Sequence, residues 1–227
     1  MSYFAEETFM KNVLILFCSV SFCSLILLAQ TGKPPRAVHA AEKSPIHVPA
    51  QDEPTALAKI YGNLGSKTDA YSDENWWVVA GPNSQSGQQH FFGLPFTPKV
   101  NAHVSQVQAA LQYNGSGANQ VNLSIYGDNA GAPGTLLAGP VTVTNLPESG
   151  TCCTLVVANF SPVSVIEGTR YWVVADTPAS GTGSDFYGTW DWVPKPLYPQ
   201  AYSTGSGWIG YNSTNAEAAG EVLGTIP

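Results

Sequence analysis

Between residues 185 and 211 the chain carries Phe186, Tyr187, Trp190, Trp192, Tyr198, Tyr202, Trp208 and Tyr211, with Asp185 and Asp191 among them. Exposed rings of this kind form flat apolar platforms with polar tips, and carboxylates beside them accept hydrogen bonds from hydroxyls. That combination suits sugar rings, which present C–H faces and hydroxyl edges. The candidate ligand-binding set is therefore Asp185, Tyr187, Trp190, Asp191, Trp192, Trp208 and Tyr211. The competing reading is that these rings fill or cap the core, as large aromatics commonly do. Trp76, Trp77 and Trp172 sit in strand-like runs and are assigned to the core. A glycosidase needs two carboxyls across one bond, roughly 5 or 6.5–9.5 Å apart, and Asp185 with Asp191 is the pair that could supply them. Sequence fixes no distance between them, so hydrolysis stands as an alternative to binding.

The four cysteines fall in two places. Cys18 and Cys23 lie in an apolar N-terminal run, whereas Cys152 and Cys153 are adjacent. Neighbours on a regular strand point to opposite faces and cannot bond. Gly150-Thr151 supplies a turn in which they could, so a Cys152–Cys153 vicinal disulfide and free or intermolecularly paired thiols are the open states. Neither a C-x-x-C motif nor a nearby His or Lys is there to lower a thiol pKa, which argues against redox catalysis. His90 and His103 match no compact ligand spacing, and Asp128-Asn129 reads as an Asx-type turn rather than a calcium loop. No metal or other cofactor is expected. There is no G-x-S-x-G nucleophile motif. Asn114, Asn122 and Asn212 each open a glycosylation sequon, which matters only in a host that glycosylates.

Composition narrows the classes. Of 227 residues 44% are apolar, enough for a real core, but only 11% are charged, well below the ~25% of ordinary soluble domains. A net charge of −7 with nine Lys plus Arg repels phosphate backbones, so nucleic-acid binding is not expected. Met10-Lys11-Asn12, the apolar run Val13 to Ala29 and the small-residue site Val38-His39-Ala40 have the layout of a secretory signal. Glu6 and Glu7 fit such a signal poorly, and the expected start is Met10. Cleavage falls at Ala40 or nearer Ala29. The run is short of the ~20 residues of a membrane span, so the mature chain is expected to carry none. Residues 1–40 thus read as signal, 41–57 as a proline-containing linker, and 58–227 as a single domain.

The elements that must position any site are strands. Val121-Asn122-Leu123-Ser124-Ile125-Tyr126 alternates apolar and polar with the period of a half-buried strand. Gly127 to Gly134 should interrupt it with a turn. Val141 to Thr144, Leu155 to Val157, Val163 to Val165 and Thr169 to Ala175 resume the pattern, with Glu167-Gly168 turning the chain. Trp76 to Ala80 and Gln89 to Phe92 precede them, and Glu221 to Thr225 closes the domain. Leu57 to Ile60 fits a helical turn or an edge strand. Between Val100 and Tyr113 the apolar parity switches, which a bulge near Ser105-Gln106 would repair; Gln106, Gln108 and Gln112 would then face outward. Asn114-Gly115-Ser116-Gly117 supplies a hairpin loop. The fold class is all-β, an antiparallel sandwich of jelly-roll type.

Three segments carry a resemblance. Tyr61-Gly62-Asn63-Leu64-Gly65, Leu123 to Asp128 with Pro133-Gly134, and Gly168-Thr169-Arg170-Tyr171-Trp172-Val173-Val174 occur in the order seen in exported bacterial choice-of-anchor domain proteins, the R type in particular. The chain resembles that family over about Ile60 to Pro227. The resemblance implies a β-sandwich at the cell surface or outside the cell, and it brings no assigned catalytic residues. This sequence stops at Pro227 without the apolar helix and basic tail of that pattern, so C-terminal anchoring is not part of the expectation. The function expected is a non-catalytic binding role, with an extracellular glycan or cell-surface component as partner. A purely structural or adhesive module is the alternative that places every aromatic inside.

Overall fold

Short apolar–polar alternations cut by glycine, proline and asparagine leave the strand as the regular structure open to this chain. The computed structural model describes residues 56–66, 70–193, 200–211 and 217–227, and among them the regular elements are thirteen strands. No helix there is long and apolar enough to cross a membrane. The segment expected as a signal, and all of the linker but Ala56 and Leu57, lie outside the described residues.

The strands form antiparallel sheets. β1 (Ala58–Gly62), β13 (Gly220–Thr225), β4 (Ala102–Ala109) and β8 (Val156–Val165) pair in that order. β2 (Ser72–Ala80), β10 (Tyr187–Trp192) and β5 (Leu111–Ser116) make a three-stranded sheet. The largest sheet runs β12 (Trp208–Tyr211), β11 (Gln200–Ser203), β3 (Phe91–Phe96), β9 (Tyr171–Asp176), β6 (Gln120–Asn129), β7 (Ala132–Thr144). The first two sheets join at Ala110, whose N–H donates to Ala219 O (3.1 Å) and whose carbonyl accepts from Asp191 N–H (2.9 Å). They act as one bent layer facing the six-stranded sheet. Val104, Val107, Leu111 and Val222 from that layer pack with Phe92, Leu94, Leu123, Ile125 and Val173 from the other, all within one buried cluster.

The parity switch in Val100 to Tyr113 is resolved by the expected device. The β4–β8 register slips between Val104 and Gln106, so Val104 and Val107 are both buried. Gln106 and Gln108 stay half-buried, with Gln106 Nε2 donating to Asn159 Oδ1 (2.8 Å). Gln112 departs from expectation, because it is fully buried beneath a loop that hydrogen-bonds its amide. Trp76 departs in the other direction at 41% exposed, because it is Trp77, the next residue along β2, whose side chain turns to the core. Leu57 to Ile60 resolves as the start of edge strand β1, and the two short runs around Phe160 merge into β8.

The stretch from Gly127 to Gly134 is the main revision. Pairing continues to Asn129 and resumes at Ala132, so the turn is confined to Ala130 and Gly131, both at positive φ (53° and 91°). The hairpin tip bends back over the outer face of the six-stranded sheet. A Cβ on Gly93 would lie 3.2 Å from Pro133 Cγ, and one on Gly210 would lie 3.1 Å from Gly131 O. Beneath the tip lies a second, smaller core of Trp172, Val174 and Ala201, flanked by Tyr126 and Trp208. Asp128 fastens it: Oδ1 accepts from Trp172 Nε1 (2.8 Å), and Oδ2 accepts from Gly131 N–H (3.2 Å).

Asn63 plays the matching part at the other end of the chain. Its Oδ1 accepts from Gly220 N–H and its Nδ2 donates to Ala218 O and Glu217 Oε2, while Tyr61 O–H donates to Glu217 Oε1 (2.6 Å). Asp128→Ala would leave the buried Trp172 indole N–H without its acceptor. An orphaned buried donor costs about 1–3 kcal/mol; urea denaturation should show a loss of that size, with Asp128→Asn recovering most of it.

Candidate functional site

The aromatic tract divides between the two layers, because β10 belongs to one and β11 and β12 to the other. Trp190 is fully buried, edge-on to Phe92 at 6.0 Å, and its Nε1 donates to Ala219 O (2.9 Å). Trp192 is half-buried with its ring 5.4 Å from Trp77, which in turn stacks on Phe92 at 4.8 Å. Phe186 is buried as well, 6.1 Å from Tyr113. These rings hold the layers together and do not form a platform. Tyr187 is half-buried at the start of β10. The side chain of Tyr211, and Tyr198 altogether, lie outside the described residues.

The two aspartates likewise serve the fold. Asp185 Oδ1 accepts from Ala118 N–H (3.1 Å), holding the loop between β5 and β6. Asp191 is 1% exposed, and Thr189 Oγ1 donates to its Oδ1 (3.3 Å). Cys152 and Cys153 are bonded to each other, the first exposed, the second half-buried against the main core. His90 and His103 are on different elements, near Gln88 and Ser164 respectively. No group of three or more His, Cys, Asp or Glu that could hold a metal ion occurs among the described residues.

One member of the predicted set does face outward at a built surface. Trp208 pairs with Ser203, and Ser203 with Phe91. Phe92 pairs with Ala175, which sets Phe91 level with Asp176; Asp176 pairs with Asn122, and Asn122 with Thr142. Side chains at paired positions share a face. Trp208, Ser203, Phe91, Asp176, Asn122 and Thr142 therefore form a single rung across all six strands, on the outer face. The next rung is Gly210, Ala201, Gly93, Val174 and Ser124, all small or compact, and the hairpin tip comes down on it, with Pro133 over Gly93 and Gly131 over Gly210. A shallow trough results, with rings at one end and hydrogen-bonding groups at the other.

Its polar end is pre-arranged. Thr142 Oγ1 donates to Asn122 Oδ1 (2.8 Å), which leaves the Asn122 amide to bond the Asp176 carboxylate. Burial against β9 and β6 pushes Asp176 up to about 6, with the Asn122 hydrogen bond pulling the other way. Tyr126, two rungs further along, is raised by its own burial and then by the Asp176 charge. Ser124, 1% exposed and between them, has a hydroxyl with no hydrogen-bond partner among the described residues.

Neither Asp176 nor Thr142 stood out in the sequence, and Asn122 did so only as the head of a glycosylation sequon. The polar parity of Asn122, Ser124 and Tyr126 was legible as an outer face, and Asp176 shares the parity of Trp172 and Val174. Nothing in one dimension said that these two strands were neighbours.

Asp176 carries a pH signature. Its folded value of about 6 stands above its ordinary 3.8, so between those limits the folded chain holds a proton that the unfolded chain has released. Stability from this group falls as pH rises through about 4 to 6 and is level above it. Asp176→Asn should raise stability at pH 7 by at most about 3 kcal/mol and flatten the pH 4–6 dependence of thermal melting. A residual slope of the same sign is expected from Glu217, whose carboxyl burial also raises.

Compared with known proteins, the chain matches no family model, and no curated relative matches it. What the trough takes has to be argued from its own residues.

Proposed function

We propose that this chain is an exported β-sandwich binding module, of the choice-of-anchor kind that its motifs resemble, which takes a glycan on the outer face of its six-stranded sheet. The observation that carries this reading is the rung from Trp208 and Phe91 to Asp176, Asn122 and Thr142. Trp208 and Phe91, both half-buried, offer apolar ring area for a sugar's C–H face. The Asp176 carboxylate and the amide and hydroxyl beside it accept from and donate to ring hydroxyls. The neighbouring rung is closed off by the hairpin tip, so a ligand would lie along the first rung and against the flank of the tip. A net charge of −7 and the carboxylate within the rung disfavour polyanionic chains, so neutral or amino sugars are the class selected.

The role is binding rather than turnover. Asp185 and Asp191, the carboxyls first considered for hydrolysis, are hydrogen-bonded by Ala118 N–H and the Thr189 hydroxyl, and Asp176 is hydrogen-bonded by Asn122.

Glycan-array screening followed by titration calorimetry tests this. Trp208→Ala and Asn122→Ala should each weaken binding about ten- to a hundredfold, on the order of 1.4–2.8 kcal/mol, with near-ultraviolet dichroism retained. Ile166→Ser, on an exposed position elsewhere, should leave it unchanged. Absence of any neutral or amino-sugar ligand, or binding indifferent to Trp208→Ala, sinks the assignment.

A further inference from the structure

The loop after β7 runs along the free edge of β5, where Glu148 bridges Tyr113 in parallel, and is then fastened by side chains. Tyr113 N–H donates to Pro147 O (2.8 Å) and Ser149 N–H to Tyr113 O (2.9 Å). Gln112 then acts as a surrogate strand, its Oε1 accepting from Gly150 N–H (2.8 Å) and its Nε2 donating to Thr151 O (2.9 Å). The Tyr71 hydroxyl lies 3.1 Å from Thr151 O and 3.0 Å from Thr154 O, bridging the two sides of the Cys pair. Gln112 and Tyr71 are 0% and 1% exposed. Immediately downstream, Thr154, Leu155 and Val156 line a groove of about 450 Å³ whose other wall is Val141 to Asn145. The groove lies between β7 and β8, the edge strands of their sheets.

We propose that Cys152–Cys153 is a thiol-exchange site for small external thiols, and that opening it unclasps this loop and reshapes the groove beside it. The two sulfurs are not equivalent. Cys152 is exposed, whereas Cys153 is half-buried against the main core, and exchange proceeds at the sulfur an attacking thiolate can reach. An external thiolate attacks Sγ of Cys152. A mixed disulfide forms there as the Cys152–Cys153 bond breaks, and Cys153 leaves as a thiolate that takes a proton from water. A second external thiolate attacks the outer sulfur of the mixed disulfide, releasing the symmetrical disulfide of the small thiol and a reduced Cys152. The small thiol is oxidised and the protein gains two electrons and two protons.

Both states have a place to sit. Cys152 Sγ is 3.6 Å from Tyr71 O, within reach of a weak S–H···O bond once it carries a proton. A bond between adjacent residues excludes an extended backbone at that pair, because strand neighbours point apart. Its loss frees the backbone at Cys152–Cys153 and leaves the Gln112 and Tyr71 hydrogen bonds to hold Gly150, Thr151 and Thr154 on either side. Thr154 and Leu155 are the residues that transmit the change to the groove. The inference does not depend on glycan binding, since the trough is on another face.

The test uses the full chain with glutathione as the probe, followed by maleimide blocking, peptide mapping and hydrogen exchange. Under native conditions one glutathione should appear on Cys152 with a single maleimide on Cys153, and excess glutathione should give maleimide on both. Amide exchange at Ser149 and Gly150 should then quicken at least tenfold while β6 and β9 stay protected. The C152S/C153S variant should show the same fast amides without any thiol. Four results would overturn the proposal: no Cys152–Cys153 bond in the untreated protein, an adduct on Cys153, reaction only in urea, or unchanged Ser149 and Gly150 protection after reduction.

Discussion

Strand β9 is buried on both of its faces, and much of the architecture follows from having to cover it. Tyr171, Val173 and Ala175 point into the main core, while Trp172 and Val174 point the other way and are equally inaccessible. A two-layer antiparallel sandwich normally leaves one face of each sheet to water. A fully buried indole on that second face needs both a roof and an acceptor. The bent β6–β7 hairpin supplies the roof through Pro133, and Asp128 supplies the acceptor. Gly93 and Gly210 lack side chains where the roof comes down, and a Cβ at either would press against it.

The same roof creates the trough. Because the hairpin tip covers only the rungs of Trp172 and Val174, the sheet face steps down to the rung that carries Trp208, Asp176 and Asn122. Asp176 is half-buried for that reason, at the margin of a covered region, and its carboxyl is raised by the desolvation that the margin imposes. Packing and electrostatics meet at one carboxylate. The three-stranded sheet meets a different device, a hydrogen-bonded loop in place of a hairpin, and the buried polar Gln112 that bonds it marks the difference.

The segments that carry the family resemblance turn out to be fastenings. Asn63 and Tyr61 grip Glu217 to Gly220, joining the first strand to the last. Asp128 grips Trp172, joining two of the resembling segments to each other. These contacts say how the sandwich is closed.

Alternation alone determined that this chain is built of strands: Val121, Leu123 and Ile125 face in and Asn122, Ser124 and Tyr126 face out, because successive side chains on a strand must diverge. The bulge in β4 was legible for the same reason, since only an extra residue reconciles Val104 with Val107. Partner choice was not. Which strand lies beside which is set by contacts far apart in sequence, so Trp190 and Trp208, read as one platform, part to different layers. Gln112 and Asp191, polar and expected outside, are buried, with a loop bonding the Gln112 amide and Thr189 of the same strand bonding the Asp191 carboxyl. The tertiary structure alone decided that Asp176 stands beside Asn122, and hence where a ligand would find both a ring and a carboxylate.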